Sequence, residues 1–149
     1  MKILMVCLGN ICRSPLAEGI LKNKIQKQGL NWEVDSAGTS GWHDGGKPDS
    51  RSIEVASKYN IDITDQISRK VRSVDYEIFD LIYAMDIQNY NDLLSLATEE
   101  EKPKIKLILN EIDPNKNKSV PDPYWDDNGF EKVYAMLDEA CEIIVEKYK

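Results

Sequence analysis

Two residues of reactive type, Cys7 and Arg13, stand with five residues between them in the run Cys7-Leu8-Gly9-Asn10-Ile11-Cys12-Arg13-Ser14-Pro15. A thiolate is a strong nucleophile, and a guanidinium is a planar fork that matches two oxygens of a phosphoryl group. Gly9 and Asn10 between them are residue types that accept positive φ, so successive amides can turn into one concavity and cradle an anion. A positive field of that kind favours the thiolate over the thiol, and a thiolate under a bound phosphate is aimed at phosphorus. Much later in the chain, Asp122 lies in Pro121-Asp122-Pro123-Tyr124-Trp125. A carboxyl there could give a proton to a leaving oxygen and then take one from water, work usually worth about 10²–10⁴-fold. Each residue also has a plainer reading. Cys7 could be a small core residue, Arg13 a surface ion-pair partner, and Asp122 a turn residue between prolines. Cys-x5-Arg arises often by chance, so the elements around it decide.

Those elements are legible. Residues 2–6 (KILMV) form a short apolar run, the mark of a strand buried on both faces. From Arg13 to Gln28 the period becomes helical, with Leu16, Ile20, Leu21 and Ile25 on one face, Pro15 in the first turn and Gly29 as the stop. The anion loop thus lies between a strand end and a helix start, where unpaired amides and the helix dipole attract negative charge. The pattern further predicts a strand at Trp32–Val34 and a helix over 50–59 capped by Asp49, with a buried stripe of Ile53, Val55, Ala56 and Tyr59. Strands at Phe79–Met85 and Ile105–Leu109 flank a helix near 89–96; a long loop spans 110–127, and the last helix starts at Phe130. Alternating strands and helices imply an α/β protein with a mostly parallel sheet, its ligands beyond the carboxyl ends of the strands.

Composition narrows the functions. A chain of 149 residues without repeats or linkers reads as a single domain, 1–149, able to build its own core. Its 19 basic and 26 acidic residues give a net charge of -7, which argues against nucleic acid and anionic membranes as partners. One concentrated positive site can still hold a small anion. No apolar run reaches the roughly 20 residues of a membrane span, and the apolar start is too short for a signal peptide, so the expected location is the cytoplasm. Three cysteines and one histidine, without C-x-x-C, predict neither a disulfide framework nor a metal site.

The run VCLGNICRSP resembles the phosphate-binding loop of the low-molecular-weight protein tyrosine phosphatase family, and Asp122-Pro123-Tyr124-Trp125 resembles its second motif. The blocks Asp35–Trp42, Pro48-Asp49-Ser50 and Met85-Asp86 with Asn89 are similar as well, so the likeness covers essentially the whole chain. It implies a three-layer fold with a four-stranded parallel sheet in the order 2-1-3-4, helices on both faces and the phosphate loop after strand 1. It also implies a cofactor-free phosphotyrosine hydrolase with Cys7 as nucleophile, passing through a cysteinyl phosphate. Arg13 and the amides from Leu8 through Gly9, Asn10, Ile11 and Cys12 would hold the phosphoryl oxygens. Ser14 would bond the Cys7 sulfur, and Asn10 would brace the loop through Ser14 and Ser36. Asp122 would serve as general acid and then base. Tyr124 and Trp125, with Trp42 opposite, would wall a slot for a flat ring. The implied partners are tyrosine-phosphorylated proteins or peptides, with phosphate or other oxyanions in the site.

Several residues bear on finer distinctions. Arginine phosphatases of this fold carry threonine where this chain has Ile11, and arsenate reductases add two cysteines near 80–92, where this chain has none. Arsenate reduction is one alternative; a non-catalytic phosphotyrosine-binding module is another, which would leave Cys7 and Asp122 together without a reason. Gln66 stands where several relatives have a histidine tied to Ser36 and Asn10. Relatives with a second loop cysteine form a reversible disulfide with the nucleophile, a role the resemblance extends to Cys12. His43 reads as a rim residue, Cys141 as core, and Arg51 and Lys47 as rim charges facing the acidic loop.

Overall fold

A computed structural model describes residues 1–149. Four parallel strands, β1 (Lys2–Cys7), β2 (Glu33–Gly38), β3 (Leu81–Ala84) and β4 (Ile105–Leu107), form a sheet in the order β2-β1-β3-β4. Five helices complete the chain: α1 (Arg13–Lys27), α2 (Ser50–Lys58), α3 (Ser73–Ile78), α4 (Ile87–Leu96) and α5 (Phe130–Tyr148). The expected strand order and α/β architecture hold.

The pleat of β1 sorts its side chains into two cores. Ile3, Met5 and Cys7 face one layer with α1 and α5, packed against Leu16, Leu137 and Ile144. Leu4 and Val6 face the other, with Tyr76 of α3 and Leu93 of α4. Both faces of the sheet are therefore covered, as a parallel sheet requires.

Local details differ from the periodicity in instructive ways. β2 continues past Val34 to Gly38, because Ser36 and Ala37 are buried beside β1 although their types suggest a turn. β4 stops at Leu107, and residues 108–111 tighten into a 3₁₀ turn. α3 leaves no clear apolar stripe because it is only six residues long. In α2, Ser52 joins Val55 and Ala56 in the buried face, while Tyr59 is exposed and stacks on Tyr134 with ring centroids 3.9 Å apart. Asp49 does cap that helix, accepting from the Arg51 amide at 2.8 Å.

The register aligns the carboxyl ends of the strands: Cys7 lies opposite Gly38, and Val6 opposite Ala84. The segments that begin at residues 8, 39 and 85 therefore leave the sheet along one edge. Gly38 permits the closest approach there, since a Cβ on it would lie 2.7 Å from the Leu8 carbonyl oxygen. Beside it, Arg69 pairs with Asp35 of β2 at 3.0 Å and with Asp75 of α3 at 2.9 Å. Asp75 is fully buried, so Arg69 supplies charge that solvent cannot. Replacing Arg69 with Met should lower the unfolding free energy by about 3 kcal/mol, the lower end for breaking a buried pair, because the arginine is itself partly exposed and Arg72 remains near Asp75. Urea titration of both proteins at neutral pH measures the difference.

Candidate active site

The loop after β1 is held with its polarity sorted. Its carbonyls face outward into protein bonds. Cys7 O accepts from the Thr39 amide, Leu8 O from that of Ser40, and Ile11 O from that of Asp49, all within 2.8–2.9 Å. Side chains complete the set: Ser68 Oγ donates to Gly9 O at 3.1 Å and Ser52 Oγ to Cys12 O at 3.2 Å. The amides of residues 8–12 donate to no protein acceptor. With these five carbonyls turned out, the amides line a nest of donors at the start of α1, whose cap residue Cys12 adds no side-chain bond.

Asn10 makes that turn at φ 56° and fixes it with a buried side chain. Its Nδ2 donates to Ser14 Oγ at 2.8 Å and Ser36 Oγ at 3.0 Å, while its Oδ1 accepts from the Arg69 amide at 3.1 Å. Ser14 Oγ lies 3.1 Å from Cys7 Sγ at the base of the nest. All three contacts expected of Ser14 and Asn10 are present. The Gln66 side chain instead donates to Pro15 O at 3.1 Å, and its own oxygen is buried without a partner. Glu18 takes the far end of the network, accepting from Ser36 Oγ at 2.6 Å.

Arg13 is buried and oriented by Asp86, whose Oδ2 accepts from Nη1 at 2.7 Å, and by Val120 O at 3.1 Å. Burial opposes its charge, but Cys7, Asp86 and Asp122 outweigh that and hold the guanidinium above its ordinary value. Asp122 stands across the opening, 3.8 Å from Arg13 Nη2, with its Oδ1 accepting from the Tyr124 amide at 3.0 Å. Cys12, by contrast, is pushed up to about 12, first by burial and then by Asp49 and Cys7, so it stays a thiol at neutral pH.

These residues enclose a cleft of about 260 Å³. Its floor is Cys7, Leu8, Gly9, Ile11, Cys12 and Arg13, and its walls are Trp42, Asp122, Tyr124 and Trp125. Asn10 and Ser14 sit behind the floor. His43 also lines the cleft, close enough to Gly9 that a Cβ there would lie 3.0 Å from its ring. Tyr124 and Trp125 meet edge to face at 4.8 Å, and Trp42 and Trp125 are largely exposed. Cys141 is buried on α5, far in sequence from the loop and packed against Ala17 O.

The sequence assigns no supporting role to Glu18, Asp86 or Arg69, although Asp86 lies in a block that resembles the family. For Glu18 one signal existed, an acid on the buried stripe of α1 with Lys22 four residues on.

Comparisons with known proteins agree with this geometry. The family profile described as "Low molecular weight phosphotyrosine protein phosphatase" matches residues 2–149. The Schizosaccharomyces pombe low molecular weight phosphotyrosine protein phosphatase is 39% identical over 140 residues, covering 91% of this chain and 89% of that one. A protein tyrosine phosphatase from Entamoeba histolytica, solved with Hepes in its active site, superposes with a TM-score of 0.92 at 43% identity, covering 99% of this chain and 96% of that one. The arginine phosphatase DARP from Drosophila gives 0.93 at 35%, covering 100% and 98%. The chain belongs to the low molecular weight phosphotyrosine protein phosphatase family.

Burial raises the Glu18 carboxyl above its ordinary 4.5, with the Lys22 and Ser36 bonds opposing. The folded form holds this proton more tightly than the unfolded chain does. Its contribution to stability is therefore present below 4.5 and is lost as pH rises through the raised value. Compared with wild type, Glu18→Gln should gain in relative stability as pH rises from about 4 to about 7. Denaturant titrations across that range check it; a constant difference contradicts it.

Proposed function

We propose that this chain, as one domain over residues 1–149, hydrolyses phosphotyrosine in proteins through a covalent phosphocysteine on Cys7. The observation that carries the reading is the nest itself: unpaired amides of residues 8–12 and a buried Arg13 surround the Cys7 sulfur, with a carboxyl across the cleft.

The chemistry follows in two steps. The Cys7 thiolate attacks phosphorus while Asp122 gives its proton to the departing tyrosyl oxygen, so the S–P bond forms as the P–O bond breaks. The amides and Arg13 stabilise the charge spread over the equatorial oxygens. Water then attacks phosphorus, Asp122 takes the water's proton, and the S–P bond breaks to release phosphate and the thiolate. Ser14 eases that departure by hydrogen-bonding the sulfur. Every step uses groups of this chain alone, so no cofactor is called for.

Overall similarity does not choose the substrate, because DARP superposes as well as the tyrosine phosphatase does. The cleft favours tyrosine. Three of its walls are aromatic, Cys7, Cys12 and Arg13 at its floor are buried, and Ile11 brings an apolar branch where arginine phosphatases of the fold carry a hydroxyl. A flat ring spans such a slot, whereas a phosphoserine is too short to reach its floor. Reaction partners are thus tyrosine-phosphorylated proteins or peptides, with phosphate and similar oxyanions as inhibitors. No helix is long and apolar enough to cross a membrane. The need to keep Cys7 and two further thiols reduced supports action in the cytoplasm.

Wild type should release phosphate from a phosphotyrosyl peptide with EDTA present, and Cys7→Ser should abolish release. No release from wild type with tight peptide binding retained would instead identify a binding module.

A further inference from the structure

The acid loop, residues 121–129, has little to hold it. Its hydrogen bonds are mostly internal: Asp126 N to Pro123 O, Gly129 N to Asp126 O, Tyr124 N to Asp122 Oδ1 and Asn128 N to Asp126 Oδ1. Asp122 approaches Arg13 only to 3.8 Å. One side chain from elsewhere donates a hydrogen bond to a side chain of this loop, and it is Arg51, through Nη1 to Asp127 Oδ1.

The rest of Arg51 is anchored on the opposite side. Nε and Nη2 donate to the two oxygens of Asp49, at 3.0 and 2.9 Å. Asp49 is bonded through its amide to Ile11 O of the phosphate loop at 2.8 Å, and Ser52 binds Cys12 O. The guanidinium also lies 5.5 Å from the Tyr124 ring centroid and 4.8 Å from that of Phe130. Its flat face thus meets the residue whose amide fixes the Asp122 carboxyl. Arg51 is not the free rim charge its sequence position suggests.

We propose that Arg51 is a positioning residue that ties the acid loop to the phosphate loop and so sets the distance from Asp122 to the leaving oxygen. This rests on the phosphatase reading above. Any one of these surface contacts is weak. Together they join the phosphate loop to the far end of the acid loop, whose near end is held at Val120 by the Arg13 guanidinium and the Met85 carbonyl. A misplaced acid matters in proportion to how much the leaving group needs a proton. Phenyl phosphate needs one; 2,4-dinitrophenyl phosphate hardly does.

The test measures kcat/KM for both esters. Arg51→Gln should lose about 10-fold on phenyl phosphate and less than about 2-fold on the dinitrophenyl ester, a part of the 10²–10⁴ a positioned acid supplies. Inhibition by inorganic phosphate should stay within about 2-fold, since the nest is intact. Arg51→Lys, which keeps the charge but loses the fork, should recover part of the loss. Asp127→Ala cuts the tether at its exposed end, leaves α2 untouched and should show the same selectivity, so the proposal stands testable even if Arg51→Gln folds poorly. Added to Asp122→Asn, Arg51→Gln should cost nothing further on phenyl phosphate. Equal losses on both esters, no loss on either, or weakened phosphate inhibition would overturn the proposal. A wild type inert toward both esters would overturn the phosphatase reading and this proposal with it.

Discussion

The phosphate loop keeps its shape because the protein bonds its carbonyls and leaves its amides alone. Five carbonyls, from Cys7, Leu8, Gly9, Ile11 and Cys12, are tied outward to the segments after β2, to α2 and to Ser68. The donors are thereby forced inward, and the cost of leaving them unpaired is offset when an anion arrives. Asn10 makes this possible at a single point. It takes the left-handed conformation, which an asparagine tolerates, and spends its amide bracing Ser14, Ser36 and the 69 backbone. Gly38 lets the loop lie against β2 without collision.

Charge is handled by concentration. The chain carries a net charge of -7, yet its cleft is built to receive a phosphate ester. Arg13 and the free amides act at contact distance in a partly desolvated cleft, where a few fixed charges outweigh a diffuse field screened by solvent. Asp86 orients Arg13 from behind. Lys22 pairs with the buried Glu18 carboxylate behind the loop.

How much of this is legible in the sequence follows from how local each feature is. β1, α1 and α5 declare themselves through buried runs and helical periodicity, and Cys7 to Pro15 through spacing. The order β2-β1-β3-β4 comes from resemblance, because strand pairing is not local. Ser36 and Ala37 look like turn residues, but neighbouring strands bury them. α3 is too short to show a period, and its burial rests on Tyr76 alone among its apolar residues. Asp86, Arg69 and Glu18 are invisible as supports because their partners lie 73, 34 and 18 residues away, at Arg13, Asp35 and Ser36. Gln66 shows the same limit: its position points to the Asn10 network, but its amide is drawn to the Pro15 carbonyl.

In the proposed reaction, Cys7 carries the phosphoryl group between the two steps. Quenching the wild type in acid denaturant during turnover of a phosphotyrosyl peptide, then mapping its peptides by mass spectrometry, tests that most directly. The predicted result is one phosphate bound covalently to the peptide containing Cys7, at the sulfur. A phosphate on another residue, or turnover with no trapped phosphoenzyme even in the first milliseconds, would contradict it.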